Sequence, residues 1–174
     1  MFGLWTRPDL KYNITVVKRI VQDLKNSWRN TNSSTIDFAN KIPTKIWDEK
    51  PFKLRFRSFA WEFSCLVRTR MCYLKGLRIG KLSFSSQEDI PNKGEIVKYS
   101  KKVIFDQLTK LSREILIEIE KVDENKVNMV LWLIQHERLH QGKLMLYLSK
   151  ENLALPTSFV KTWGESNFRK QQEM

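Results

Sequence analysis

Two histidines stand four apart in QHERLHQGKLMLYL, residues 135–148, and they are the only two in the 174-residue chain. On a helix, positions i and i+4 lie on one face about 6 Å apart, so His136 and His140 can share one metal ion. A catalytic zinc or iron site ordinarily takes a third protein ligand, and no third histidine exists here. The intervening Glu137 completes the pattern H-E-x-x-H, in which zinc peptidases use both histidines as ligands and the glutamate as general base. The usual context of that pattern is missing. No further histidine follows, no strand-rich substrate edge precedes it, and Arg138 places a charge inside the motif. Helical geometry also turns Glu137 about 100° away from His136. The two histidines instead share a stripe with Met129, Leu133, Leu144 and Tyr147, which directs both imidazoles into a helix-bundle interior, where facing helices can supply metal ligands. A pair of hydrogen-bonded core histidines is the plainer reading of the same spacing.

The elements that must position these residues are helical. Pro8 and Asp9 open a first helix, with Ile14, Val17, Ile20, Val21, Leu24 and Trp28 at spacings of three and four, and the polar run NTNSST ends it. Two prolines and irregular spacing between Ile36 and Pro51 predict an ordered connection carrying Phe38, Ile42, Ile46 and Trp47 onto the bundle. A second helix spans about 54–78, with Phe56, Phe59, Phe63, Leu66, Tyr73 and Leu77 on its apolar side and Gly80 past its end. The third spans about 94–122 through Val97, Ile104, Leu108, Leu111, Ile115 and Ile119. The fourth spans about 123–150 with Asp123 as N-cap and Val127, Val130, Leu131, Ile134 and Leu144 buried. Four such segments with little strand signal predict an all-α fold, a four-helix bundle in one domain over residues 1–174. Phe159 and Trp163 in the tail after Asn152 are expected to pack back over one end.

Composition narrows the function. The 41% hydrophobic and 29% charged residues are those of a globular chain. No apolar run approaches the eighteen or so residues that span a bilayer, and MFGLWTRPDLKYN lacks the pattern of a secretory leader, which predicts a cytoplasmic protein with no membrane partner. Cys65 and Cys72, seven apart on one helix, have Cα atoms about 10 Å apart and cannot bridge each other, so both are read as reduced thiols. The net charge of +12 invites a nucleic-acid reading, but the lysines and arginines share no tract or reader motif, which argues against it.

The stretch HERLHQGKLMLYLSKENLALPTSF followed by Trp163 resembles the last helix and tail of the DinB-like (damage-inducible) four-helix-bundle superfamily. Its members end in a histidine pair, then a Gly, a Gln or Lys and a Leu, then Tyr-Leu, a Pro and a Trp. Upstream, RSFAWEFSCLVRTRMCYLKGLRIGKLSF resembles that superfamily's second helix, where a Trp-Glu pair precedes a metal-binding His and an Arg-x-Arg follows. The two blocks span the chain from about Arg55 to Trp163.

The resemblance implies a divalent metal, zinc or nickel, held by three histidines, one from the second helix and two from the fourth. It also implies transfer of a low-molecular-weight thiol such as bacillithiol, mycothiol or glutathione to an electrophilic small molecule, or metal-dependent hydrolysis or isomerisation. This chain departs from the pattern at Cys65, which stands where the first histidine is expected. A thiolate is a sound zinc ligand, with Zn–S about 2.3 Å, and a softer one that favours Zn²⁺ over hard ions. The competing reading makes Cys65 a small buried hydrophobe. The chain is then a metal-free, non-catalytic bundle acting as a binding or dimerisation module, with a homodimer as its expected form. Glu62, one turn before Cys65 on the same face, is a candidate base, reserve ligand or hydrogen-bonding partner behind the ligands. Arg68 and Arg70 either attract a carboxylate-bearing thiol or lie on a solvated face or in a salt bridge, and Cys72 only packs. Three states stay open at this point: a Cys-His-His zinc site, a two-histidine site that loses its ion in purification, and an empty polar pocket.

Overall fold

A computed structural model describes residues 9–54, 56–85 and 87–164, with side chains from residue 16 onward. Its helices are α1 (Asp9–Lys41), α2 (Phe59–Ile79), α3 (Lys93–Ile96), α4 (Lys101–Ile119), α5 (Glu124–Lys150) and α6 (Thr157–Trp163). Among the described residues the only β pairing is an isolated bridge between Gln87 and Ile90, so the chain is all-α. None of the described helices is long and apolar enough to cross a membrane.

The four long helices form a ring: α2 packs on α4 and α5, and α1 closes it against the same two. Trp28 of α1, Phe63 and Leu66 of α2, Ile104 and Leu108 of α4, and Leu133 and Leu144 of α5 are fully buried between them. The third and fourth apolar stripes read from the sequence are therefore largely core. Leu131 is an exception and lies exposed, as does Ile20 of the first helix's stripe.

Several expected boundaries move, each for a local reason. Pro8 lies outside the described residues, as does the side chain of Ile14. The run NTNSST does not end α1, which continues to Lys41. Thr31, Ser34 and Thr35 are buried, and Thr35 Oγ1 donates to Glu137 Oε2 of α5 at 2.6 Å, so these polar residues face the interior instead of breaking the helix. The connection thus shifts to residues 42–58, with Trp47 stacked on Phe63 at 5.0 Å between ring centroids.

The second helix starts at Phe59 and not near Leu54, because Ser58 takes the N-cap and accepts from Trp61 N at 3.2 Å. Gly80, at φ 76°, ends it in the left-handed region where a Cβ is disfavoured. The expected third helix is two: a capping box of Asn92 and Glu95 starts α3, and Ser100 caps α4 afresh. The α5 helix matches the expected fourth closely, with Asp123 accepting from Asn125 N and Lys126 N. It ends in a reversal at Asn152, φ 54°, closed by Leu153 N donating to Leu148 O at 2.8 Å.

The tail folds back as expected, but only in part. Phe159 is buried, its ring edge-on to Phe38 at 5.2 Å. Trp163, expected to be buried, is 55% exposed. The six-residue connection from Glu151 to Pro156 sets α6 against the far end of α1, and Trp163 comes last, past that contact. Its ring is left with the Arg138 guanidinium 5.3 Å from its centroid.

Candidate metal centre

Facing turns of α2 and α5 bring Glu62, Cys65, Thr69, His136, His140 and Tyr147 together. The α2 residues follow at spacings of three and four, and so do His136, His140 and, seven further on, Tyr147, so each helix offers one face. One ligand atom from each of Cys65, His136 and His140 lies within 4.8 Å of the other two. Cys65 Sγ is 3.9 Å from His136 Nε2, and Thr69 Oγ1 is 3.1 Å from the same nitrogen. The two imidazole centroids are 4.7 Å apart.

Behind them lies Glu62, only 4% exposed, whose Oε2 is 2.6 Å from His140 Nδ1. Tyr147 donates its hydroxyl to Glu62 Oε1 at 3.2 Å and accepts from Arg57 N at 3.0 Å. Lys143 Nζ stands 3.6 Å from Glu62 Oε2. The Glu62 carboxylate stands against Nδ1 of His140 as a charge contact without an aligned hydrogen bond, which leaves Nε2 as the nitrogen for a ligand.

The electrostatics suit a soft cation site. Burial alone raises a thiol pKa, yet hydrogen bonds and charge from His136 and His140 outweigh it and hold Cys65 at about 6. Burial likewise opposes charge on His140, but Cys65 and Glu62 overcome it and lift the imidazole to about 9. Burial works against the Glu62 carboxylate too, and His140 and Lys143 still hold it below its ordinary value. The chain therefore presents a thiolate beside an imidazolium at neutral pH. In metal-free protein, iodoacetamide should modify Cys65 with a pH midpoint near 6, and His140→Ala should return that midpoint toward 9.0. Cys72, 1% exposed and pushed up by burial, is the internal control and should stay unmodified in the native state. Peptide mass spectrometry across a pH series reads both thiols, and a Cys65 midpoint near 9 would contradict the arrangement.

Above Cys65, Thr69 and His136 opens a cleft of about 920 Å³. Its second wall is the connection after α2, held to that helix by Arg68, whose Nη2 donates to Phe84 O at 3.2 Å and Ser85 O at 3.3 Å. Tyr73 and Phe84 meet edge-on, and Lys75 pairs with Asp89 at 2.7 Å. Arg68 thus lines the cleft, whereas Arg70 does not face it at all.

One expectation needs correction. His140 is buried at 3% exposure, but His136 is half-buried and opens onto the cleft, so the imidazoles do not both sit in the interior. Glu137 turns away from the ligand atoms as expected, but inward, at 0% exposure. Packing α5 on both α1 and α2 buries a broader face than one stripe, and the 100° rotation carries Glu137 deeper instead of outward. Arg70 meets it there in an internal ion pair at 2.8 Å, which removes both groups from the site. Thr69 escaped the sequence reading although its position four after Cys65 gave it the same face. No protein-family model matches the chain, and no curated protein matches it either.

Proposed function

We propose that this chain is a metal-dependent enzyme of the DinB-like four-helix-bundle type, joining a small thiol to an electrophilic small molecule or hydrolysing one. Cys65, His136 and His140 are the ligands of a zinc or nickel ion. The observation that carries this reading is the convergence of three ligand atoms within 4.8 Å beside an open cleft. One sulfur and two imidazole nitrogens are a donor set that zinc accepts, and three protein donors leave a position for water or substrate. An ion held there lowers the pKa of a thiol or water bound to it.

The remaining work falls to the chain. Glu62 fixes the tautomer and direction of His140 and raises its basicity, and Tyr147, held by Arg57 N, keeps Glu62 in place. Arg68 puts a cation on the cleft wall, where a carboxylate-bearing thiol can be drawn in. The cleft has the volume of a small-molecule site. Glu62→Gln keeps the shape and removes the charge behind His140. It should weaken zinc binding by about ten- to a hundredfold, the range for partners behind a ligand, and chelator competition would detect it.

A second reading, a metal-free binding or dimerisation module, draws on a different face. Trp132, Leu139 and Leu146 follow at seven-residue spacing along α5 and are 52%, 59% and 45% exposed. Elemental analysis of protein purified without a histidine tag, followed by a conjugation assay with glutathione and 1-chloro-2,4-dinitrobenzene, separates the two. The enzyme reading expects zinc or nickel uptake and acceleration that His140→Ala abolishes. Protein that takes up neither ion and accelerates nothing would leave the binding module.

A further inference from the structure

Glu137 is the one acidic residue of His136-Glu137-x-x-His140 that the metal centre leaves unused, and it is held harder than any other carboxylate described. Arg70 Nε donates to its Oε1 at 2.8 Å, Arg70 Nη2 to its Oε2 at 2.8 Å, and Thr35 Oγ1 to Oε2 at 2.6 Å. Nη1 of the same guanidinium donates to Leu108 O at 2.7 Å and to Asn32 Oδ1 at 2.8 Å. Trp28 lies against the guanidinium, 5.0 Å from ring centroid to Cζ. One turn along α5, Gln141 Nε2 donates to Thr31 O at 2.8 Å and Thr35 Oγ1 at 3.0 Å. A single ion pair between α2 and α5 is thereby hydrogen-bonded to α1 and α4 as well.

A two-pronged guanidinium–carboxylate contact fixes orientation along with distance, because both oxygens must meet both N–H groups in one plane. While it holds, α5 cannot roll about its axis or slide along α2. Glu137 directly follows His136 and precedes His140 by three, and Arg70 follows Cys65 by five on α2, so on each helix the fork is anchored within about a turn and a half of the ligand residues. A roll of about 10° would carry an imidazole nitrogen, roughly 6 Å from the helix axis, by roughly 1 Å. Metal–ligand distances tolerate only about 0.2 Å. Leucine or methionine at both positions could fill the same space, and a buried ion pair is seldom more stabilising than such a replacement. Direction is what the apolar pair lacks.

We propose that the Arg70–Glu137 pair is a positioning device, setting the roll and register of α5 on α2 so that His136 and His140 meet Cys65 at ligand distance. This rests on the metal reading of those three residues. The test compares the full-length chain with the double variant Arg70→Met, Glu137→Leu, and with Arg70→Lys, which keeps the charge and loses the fork. Zn²⁺ affinity by chelator competition, the visible absorption of the Co²⁺-loaded protein and the thermal midpoint of the metal-free protein are measured for each. The double variant should melt within a few degrees of the parent yet bind Zn²⁺ about ten- to a hundredfold more weakly, with altered Co²⁺ band positions and intensity. Arg70→Lys should show the same loss of affinity. Folded variants with the parent's Zn²⁺ affinity and Co²⁺ spectrum would overturn the positioning role and leave the metal centre intact. A double variant that does not fold leaves Arg70→Lys to decide by the same criterion. A parent chain that binds neither ion would overturn the metal reading itself, and this proposal with it.

Discussion

Replacing Cys65 by alanine should lower Zn²⁺ affinity by more than about a hundredfold, beyond what loss of a partner behind a ligand costs. Only two imidazoles then remain, and two nitrogen donors bind a divalent ion far more weakly than three ligands. Cys65→His should keep three donors and bind tightly, because the position already faces both histidines and the cleft. Chelator competition in one buffer checks both variants, and alanine with the parent's affinity would remove the thiol from the centre. The dependence on pH has a definite sign. His140 keeps its proton up to about 9 in the metal-free chain, so an ion must displace it, and affinity should rise as pH increases toward that value.

The second large effect is on stability. Arg70→Met alone should destabilise the fold by about 3–5 kcal/mol, because it leaves the Glu137 carboxylate buried without its counter-charge. Burial opposes ionisation of Glu137, but Arg70 and the Thr35 hydroxyl outweigh it and hold the carboxyl below its ordinary 4.5. A depressed carboxyl pKa contributes stability that is present above the unfolded value and is lost as pH falls through the folded one. The parent should therefore unfold at lower urea concentration in acid below about 4.5, and Arg70→Met should lose that part of the dependence. A single variant as stable as the parent would show that water or a neighbour already neutralises Glu137.

Much of this was legible in the residues. The ends of α5 follow from Asp123 and the polar stretch near Asn152, and the α4 core from Ile104, Leu108, Leu111, Ile115 and Ile119, since caps and apolar periodicity are local properties. The meeting of Cys65 and Glu62 with the histidine pair was legible through the resemblance of the two blocks, and it needs only one face from each of two helices. What escaped depends on three or more helices at once. NTNSST reads as a break because nothing local shows that Thr31 and Thr35 will meet Gln141 and Glu137 across the bundle. Glu137 reads only as turned away from His136, and Arg70 as a cation for a carboxylate, a solvated charge or a salt-bridge partner, because their burial is tolerable only in each other's presence. Periodicity identifies a buried face through its apolar residues and is blind to a face that is polar and paired.

One wall of the cleft belongs to the helices and the other to the stretch between α2 and α3, joined to α2 by Arg68, Tyr73 and Lys75. The two walls answer to different selective pressures. Changing the helix wall disturbs the packing of the whole bundle, whereas a surface connection can lengthen, shorten or change composition at a small entropic cost. On the metal-dependent reading proposed above, reactivity and selectivity would sit on separate parts of the chain. New small-molecule preferences could then arise by revising the connection between α2 and α3 while Cys65, His136 and His140 stay fixed.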